Sequence, residues 1–370
     1  MPRCSQCGRD RPVVARVLSI CADCIRSGDE AVMAEVEAIH ARERARFGLP
    51  GEPPRAPDGV PCHICANECR IPEGQGGYCG VRVNAGGKLS GGGPDGAAVS
   101  WYHDPLPTNC VADWVCPAGT GAGYPRWAYA NGPERGYANL AVFYEACSFD
   151  CLFCQNWHFR RANLSSLERR RSAQELADAA DSRTSCICFF GGDPTCQMPH
   201  ALAAASIARK QNPDRILRIC WETNGSMAPT LLDQAMGLSL ESGGCVKFDL
   251  KALDSKLHRA LCGVDNARTF ENFTAAARRI PERPDPPPLV ASTLLVPGYV
   301  DADEVREIAS FIAALDPGIP YVLLGFKGDF LMTDLPNTSR LQAERCYRAA
   351  KEAGLNRVRV GNVRLLGPDA

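Results

Sequence analysis

The stretch Cys147-Ser-Phe-Asp-Cys151-Leu-Phe-Cys154 decides how this 370-residue chain is interpreted. It follows an apolar run at 139–146 that has the composition of a buried strand. A structural zinc site or a closed electron-transfer cluster takes four protein ligands, whereas this loop brings three thiolates together. The C-x3-C-x2-C spacing therefore indicates a cluster in which one iron is left open for a substrate.

Composition favours a folded protein in a reducing compartment. Hydrophobic residues make up 45% of the chain and charged residues 22%, enough for about two domains with a sizeable core. Twenty cysteines would suggest a disulfide scaffold in a short secreted protein, but the opening Met-Pro-Arg-Cys-Ser-Gln-Cys lacks the apolar segment of a signal peptide. We therefore expect a cytoplasmic protein whose thiols bind metals.

Charge and hydropathy narrow the choice of partners. The 41 basic and 42 acidic residues give a net charge of −1, so no overall field draws the protein to nucleic acid or to an anionic membrane. No apolar run in the sequence reaches the ~18 residues that span a bilayer. We expect neither a nucleic-acid partner nor a membrane partner.

Two C-x2-C pairs, Cys4/Cys7 and Cys21/Cys24, lie near the N-terminus and are separated by thirteen residues. Four thiolates at this spacing can surround one tetrahedral ion. Zinc is the preferred interpretation, and a rubredoxin-like iron would use the same ligands. We call these residues the N-terminal quartet.

A second set of four cysteines, Cys62, Cys65, Cys69 and Cys79, lies in a glycine-rich segment. Four thiolates could hold either zinc or an auxiliary 4Fe-4S cluster, and a flexible loop could serve both. The sequence alone leaves the identity of this metal open.

The chain divides into four predicted segments by composition and motif spacing. We assign 1–28 to zinc-ribbon-like knuckles, 29–60 to an exposed helix with a Pro/Gly linker, 61–126 to a cysteine-rich metal-binding segment and 127–370 to the core domain.

Within the core domain, short β-branched or aromatic runs alternate with amphipathic runs of helical length, which predicts parallel βα units. Strands are predicted at 139–146, 185–190, 215–221, 244–250, 289–296 and 319–325, with a last short one at 356–361. Helices are predicted at 172–182, 197–210, 229–239, 267–280, 301–315 and 338–353. Six units are too few for a closed eight-stranded barrel, and the chemistry should lie where the strands end.

Polar and glycine motifs follow these predicted strands. Gly191-Gly192-Asp193-Pro194 comes after the second strand, where two glycines allow close backbone approach and proline restricts the turn. Glu222-Thr-Asn224-Gly follows the third strand, and Asp249-Leu-Lys251 ends the fourth. Because side chains alternate along a strand, Lys247 should share its face with Asp249 and Lys251.

In this order the motifs resemble the radical S-adenosylmethionine (SAM) superfamily. The turn resembles its Gly-Gly-Glu-Pro motif, with Asp193 in place of the usual glutamate. The next two motifs resemble the Asp-Thr-Asn-Gly and Asp-x-Lys motifs of glycyl-radical-enzyme activases, and the segment 62–82 resembles the leader of AmmeMemoRadiSam-type proteins. The resemblance covers roughly residues 60 to 365.

This resemblance implies an α/β fold, a partial (β/α)6 radical SAM barrel, with an open side that admits large substrates. The cysteine trio, Cys147, Cys151 and Cys154, would hold a 4Fe-4S cluster. A one-electron donor such as flavodoxin or ferredoxin would reduce this cluster. SAM cleavage there would yield a 5′-deoxyadenosyl radical that abstracts a hydrogen atom. The residues expected around SAM are Gly191, Gly192, Asp193, Glu222, Asn224, Lys247, Asp249 and Lys251. Trp157, just after the trio, is either an adenine neighbour or a core-packing residue.

Lys247 carries a more specific hypothesis. Activases of this family hold a monovalent cation between the acidic residue of the Thr-Asn-Gly motif, the Asp of Asp-x-Lys and the SAM carboxylate. We predict that the Lys247 ammonium replaces this cation and leaves Lys251 to meet the SAM carboxylate. The alternative is that Lys247 forms only a structural salt bridge with Glu222.

Three functions fit these observations. The first is a radical SAM enzyme that acts on a protein or other large substrate, and the second is a radical SAM enzyme that modifies a small metabolite or lipid. The third is a non-catalytic iron–sulfur or zinc protein in which Cys110, Cys116 or Cys196 completes the trio. Cys110 and Cys116 are alternatively buried thiols, an extra ligand pair or substrate-site residues.

Overall fold

The computed structural model describes residues 2–162 and 170–369. In chain order its helices are α1 (Ala22–Ser27), α2 (Glu30–Ala45), α3 (Pro117–Thr120), α4 (Phe159–Ala162), α5 (Ala173–Asp178), α6 (Met198–Gln211), α7 (Pro229–Ser242), α8 (Ser255–Cys262), α9 (Ala267–Ala277), α10 (Ala302–Leu315) and α11 (Arg340–Glu352). Its strands are β1 (Val60–Pro61), β2 (Arg70–Ile71), β3 (Val83–Ala85), β4 (Lys88–Ser90), β5 (Ala97–Pro105), β6 (Ala138–Tyr144), β7 (Arg170–Arg171), β8 (Thr184–Phe190), β9 (Arg218–Thr223), β10 (Val246–Asp249), β11 (Leu289–Leu295), β12 (Tyr321–Gly325) and β13 (Val358–Gly361). None of the described helices is long and apolar enough to cross a bilayer.

One nine-stranded sheet organises the core in the order β13-β12-β11-β10-β9-β8-β6-β5-β7. Neighbouring strands from β6 to β13 are parallel. β5 runs antiparallel to β6, and β7 antiparallel to β5. The predicted α/β fold with an open sheet is confirmed, as are the six predicted βα units and the last short strand. β5 was not predicted.

The burial pattern of the parallel strands shows which side chains face the barrel interior. β8 and β11 are buried along nearly their whole length, as expected for strands covered on both faces. On β10, Val246 and Phe248 are fully buried, and the Phe248 ring meets Phe273 of α9 edge-on at 5.3 Å. The charged residues of this strand therefore face the interior, as the alternation predicts.

The segment after β5 covers the interior of the barrel near the starts of the strands. Ala112 and Val115 pack with Val290 of β11 and Val322 of β12. An ion pair of 2.7 Å between Asp113 and Arg359 of β13 ties the segment to the sheet edge. The interior is thus closed on this side by residues that precede the core barrel in sequence.

The N-terminal residues pack directly on the barrel. The Ala15 amide donates to the Tyr299 hydroxyl at 3.0 Å, and Arg26 pairs with Glu304 at 2.8 Å. The helix expected within 29–60 is present as α2. The expectation that it is exposed was wrong, because one face is buried through residues such as Ile39 and His40. The predicted segment boundaries stay a prediction, since one hydrophobic core contains residues from several segments.

Candidate active site

The cysteine trio lies on the loop that leaves β6. Cys151 is buried, whereas Cys147 and Cys154 are partly exposed. The loop backbone is tied to the end of α8, since the amides of Asp150 and Leu152 donate to carbonyls of that helix at 2.8 and 3.0 Å. Burial raises the pKa of Cys154 to about 11 and that of Cys147 well above its ordinary value. Metal binding at these thiols would therefore release protons.

Asp150 anchors the trio loop from inside the fold. Its carboxylate accepts from His40 at 2.7 Å, lies 3.4 Å from the Arg44 guanidinium and forms an ion pair with Arg160. Burial would raise the pKa of Asp150, but the hydrogen bond from His40 and the two guanidinium groups hold it below its usual range. Helix α2 thus helps to position the trio loop.

The Gly-Gly-Asp-Pro turn follows β8 and lies against the trio loop. Gly191 and Gly192 have φ angles of +70° and +37°. A Cβ at Gly191 would lie 2.3 Å from the Phe143 ring, and one at Gly192 would lie 2.3 Å from the Ala146 carbonyl oxygen. The two glycines are therefore required by close packing against the end of β6.

Asp193 uses its carboxylate to join this turn to the end of β9. It accepts from the amides of Thr195 and Asn224 at 2.8 and 2.6 Å, and from the Thr223 hydroxyl at 3.2 Å. Asn224 in turn donates to the Ser148 hydroxyl at 2.9 Å and to the Cys147 sulfur at 3.7 Å. The shorter carboxylate at position 193 is fully occupied by these structural bonds.

Two ion pairs lie at the ends of β9 and β10. The Lys247 ammonium lies 2.8 Å from Glu222, and Lys251 pairs with Asp249. The other carboxylate oxygen of Asp249, Oδ1, is buried and has no hydrogen-bond partner among the described residues. Because an unpaired buried acceptor is costly, this atom is suited to a bound ligand's donor.

The strand ends and the trio together line a cavity of about 220 Å³, which we call the cysteine-loop cavity. The predicted site residues that line it are Cys147, Cys151, Cys154, Gly191, Gly192, Asp193, Glu222, Asn224, Lys247, Asp249 and Lys251. Trp157 is not among its described lining residues; it donates to Asp329 at 3.2 Å and stacks on Phe330. Ser292 and Asn362, from later units, also line this cavity and were not predicted as site residues.

A comparison with protein families matches residues 141–312 to the family described as "Radical SAM superfamily". The chain contains a radical SAM domain. A protein of Methanocaldococcus jannaschii, named only as uncharacterized, is 25% identical over 310 residues, which is 82% of this chain and 81% of that protein.

An isethionate sulfite-lyase activating enzyme of Desulfovibrio desulfuricans is 35% identical over 138 residues. This match spans 37% of this chain and only 40% of the activating enzyme. Among solved structures, a domain of pyruvate-formate lyase-activating enzyme from Bacteroides vulgatus is 21% identical, with a TM-score of 0.37, over 47% of this chain and 98% of that one.

The radical SAM domain is preceded by the N-terminal quartet, whose four sulfur atoms lie within 4.8 Å of one another. The sulfur atoms of Cys4 and Cys24 are 3.9 Å apart, and the Cys21 amide donates to the Cys4 sulfur at 3.4 Å. A tetrahedral zinc with Zn–S bonds of about 2.3 Å places sulfurs roughly 3.8 Å apart, so the quartet fits one ion.

The second cysteine set lines a small cavity next to the Gly-Gly-Asp-Pro turn. A fifth cysteine, Cys196, shares this cavity and hydrogen-bonds Cys79, an interaction that lowers the pKa of Cys79 to about 6. Cys196 therefore adjoins the second set. Cys262 of α8, which was not predicted as a site residue, hydrogen-bonds Cys151 of the trio.

A larger cavity of about 500 Å³ lies inside the barrel, and we call it the lumenal cavity. It shares Phe190, Glu222 and Lys247 with the cysteine-loop cavity. Its wall contains six cysteines, namely Cys110, Cys116, Cys186, Cys188, Cys220 and Cys245. Only the first two were singled out from the sequence, where the alternating pattern of Cys186 and Cys188 in a predicted strand was the available signal.

Proposed function

We propose that this protein is a radical SAM enzyme that cleaves SAM reductively at a 4Fe-4S cluster held by the cysteine trio. The resulting 5′-deoxyadenosyl radical would abstract a hydrogen atom from a protein or other large substrate. The observation that carries the proposal is one cavity in which the trio, the glycine turn and the two ion pairs all take part.

The donor set fits the cofactors that a radical SAM domain implies. Three cysteines leave one iron of a 4Fe-4S cluster without a protein ligand. Asp249, which lines the same cavity, has one buried carboxylate oxygen without a hydrogen-bond partner among the described residues. A cluster held by the cysteine trio would supply the electron for reductive cleavage of the carbon–sulfur bond of SAM. The organic chemistry belongs to the cofactors, and the protein supplies their orientation.

The residues around the cavity would orient SAM and keep water out. Backbone carbonyls of the Gly191-Gly192 turn would accept from the SAM amino group, as the resemblance implies. The Lys251 ammonium, held by Asp249, would meet the SAM carboxylate. Phe149 and Leu294 contribute apolar side chains to the wall of the cavity, and these would limit the access of water to a reactive radical.

Two observations bear on the substrate. The similar Desulfovibrio protein is named as an activating enzyme of a lyase, which supports a protein substrate and a partner that supplies electrons. The lumenal cavity favours a second candidate, a small metabolite, because its 500 Å³ suits a compact group and it shares lining residues with the cysteine-loop cavity. A single side chain of a protein substrate would fit the same space.

The other cysteine sets would serve as metal sites in support of this domain. We assign zinc, or one iron, to the N-terminal quartet because its sulfur spacing suits a single ion. For the second set, zinc and an auxiliary 4Fe-4S cluster both remain candidates, and its position beside the glycine turn suits either a structural or an electron-relay role.

The proposal is tested by incubating the anaerobically purified protein with SAM and a chemical reductant, and measuring 5′-deoxyadenosine by mass spectrometry. Wild type should form it, whereas a variant with all three trio cysteines changed to Ala should not. Formation of 5′-deoxyadenosine by that variant would contradict the assignment. Deuterium uptake into 5′-deoxyadenosine from labelled candidates would then distinguish protein from metabolite substrates.

A further inference from the structure

The second cysteine set is joined to the trio loop by Asn67, which lies between Cys65 and Cys69 in the sequence. The side-chain amide of this buried asparagine donates to the Ser148 carbonyl at 2.8 Å. Its backbone amide hydrogen-bonds the Cys65 sulfur. One residue therefore contacts both a predicted ligand of the second set and the trio loop.

Ser148 directly follows Cys147 and also contacts the loop after β9. Its hydroxyl accepts from the Asn224 side-chain amide at 2.9 Å, and the same amide nitrogen lies 3.7 Å from the Cys147 sulfur. The hydroxyls of Ser148 and Ser226 are hydrogen-bonded at 2.8 Å. Ser148 is thus held between the second set on one side and a predicted SAM-site residue on the other.

Backbone contacts bring the second set onto the same loop after β9. The Ala66 amide donates to the Ser226 carbonyl at 2.8 Å. Next to this bond, Cys65 and Met227 form an antiparallel bridge. Metal binding stabilises the folded arrangement of its ligands. A metal at the second set would therefore restrict the position of the loop after β9 as well as that of the trio loop.

Satisfying a buried carbonyl is the ordinary role of an asparagine in a loop, and Asn84 illustrates it. Asn84 lies in the same predicted segment, 61–126, is buried, and donates its side-chain amide to the Ile71 carbonyl at 2.9 Å. Both partners of that bond belong to the segment itself. The acceptor of Asn67 instead lies 81 residues further along the chain, next to a trio cysteine. This difference points to a positioning role for Asn67.

Residues behind the ligands of a metal centre orient those ligands, and hydrogen bonds to ligand sulfurs tune an iron–sulfur cluster. Asn67 acts on Cys147 in this indirect way, because Ser148 binds the Asn224 amide that lies beside the Cys147 sulfur. Loss of the Asn67 side chain would take a donor away from the buried Ser148 carbonyl and loosen this part of the trio loop.

We propose that Asn67 is a positioning residue that couples the metal centre of the second cysteine set to SAM binding at the trio. This inference rests on the proposed function. With metal bound, the second set would hold Asn67 at the Ser148 carbonyl and so keep the trio loop in the geometry that receives SAM. Because coupling between two sites is reciprocal, SAM should strengthen metal binding at the second set by the same factor.

The test compares Asn67→Ala with Asn84→Ala, a matched control that also removes a buried side-chain amide and its bond to a carbonyl. Each full-length protein is reconstituted anaerobically, and iron, acid-labile sulfide and zinc are counted per chain. The electron paramagnetic resonance spectrum of the reduced trio cluster is then titrated with SAM. Asn67→Ala should keep the wild-type metal content but need several-fold more SAM for half of the spectral change, whereas Asn84→Ala should respond like wild type. Equal SAM dependence in all three proteins would overturn the proposal, and so would an equal shift in the control.

A second variant keeps the test decisive if Asn67→Ala loses metal from the second set. Ser226→Ala leaves Asn67 and the cysteines in place but removes the hydroxyl that binds Ser148 from the other side. It should shift the SAM titration in the same direction, and an unchanged titration would overturn the role given to Ser148. A wild-type cluster that does not respond to SAM would contradict the proposed function itself, whereas a responsive wild type with an unaffected Asn67→Ala would contradict only this inference.

Discussion

The N-terminal quartet and the cysteine trio place their thiols in opposite settings. The four sulfurs of the quartet lie within 4.8 Å of one another and can enclose an ion. The three sulfurs of the trio instead border a cavity of about 220 Å³, together with polar groups from several strand ends. The number of cysteine ligands and the free space beside them thus indicate whether a metal at the site would have a structural role or would bind a second molecule.

The two sites also differ in how the fold supports them. The quartet is linked by contacts within the N-terminal segment, such as the hydrogen bond from the Cys21 amide to the Cys4 sulfur. The trio loop depends on Asp150, whose partners His40 and Arg44 are more than a hundred residues away in sequence. Damage to the trio should therefore remove catalysis, and damage to its support should destabilise the whole fold.

The largest expected effect is on SAM cleavage, and it should distinguish a change in the trio from a change in the quartet. Cys151→Ala should reduce 5′-deoxyadenosine formation to the level of a protein-free control, because it removes a cluster ligand. Cys24→Ala should lose about one zinc or iron per chain but retain SAM cleavage in the folded protein. Metal analysis and the cleavage assay check both variants. An equal loss of cleavage in Cys24→Ala would break the distinction between the sites.

The support of the trio loop is tested by Asp150→Asn. This change leaves the buried cations without their carboxylate and should lower the free energy of unfolding by about 3–5 kcal/mol. Glu344→Gln, at an exposed ion pair with Arg348, is the control and should change stability little. Denaturant unfolding measures both. A near-zero change for Asp150→Asn would mean that the loop does not depend on this cluster of charges.

A smaller, pH-dependent effect on the free energy of unfolding should come from His258. Its ring packs edge-to-face against Phe149 of the trio loop, with the ring centroids 5.1 Å apart. Burial lowers the pKa of His258 from 6.5 to about 4. Between these values the unfolded chain binds a proton that the folded chain does not, so stability is lost as pH falls below 6.5. For one proton the slope is about 1.4 kcal/mol per pH unit.

His258→Gln should remove that part of the slope, as measured by denaturant unfolding between pH 6.5 and 4.5. His103→Gln, at an exposed histidine, provides the control and should keep the wild-type slope. The same slope in all three proteins would show that His258 is not a buried neutral group.

The smallest effect concerns Lys247. Its contacts with Glu222 and two thiols agree with the structural salt bridge, and replacement of a monovalent cation stays a prediction. In potassium-free buffer, SAM cleavage by wild type should not respond to added potassium. Lys247→Ala should be impaired several-fold and partly restored by potassium. Strong potassium dependence of the wild type would contradict cation replacement.

Much of the barrel follows from sequence because periodicity is local. The alternation around Phe248 correctly placed Lys247 and Asp249 on the interior face. Helix α2 was predicted, but its buried face was not, since that burial depends on the distant partner Asp150. The lumenal cysteines were missed as a group because strand register, which is a long-range property, brings them together.

The central claim is that the trio leaves one iron open to SAM while the quartet is closed. Electron paramagnetic resonance of the reduced, iron-reconstituted protein tests it directly, before and after addition of SAM. We predict that the spectrum of one reduced cluster changes on addition of SAM and that this responsive signal is absent from Cys147→Ala/Cys151→Ala/Cys154→Ala. A cluster spectrum that SAM leaves unchanged, or a SAM-responsive signal that survives in this variant, would contradict the account.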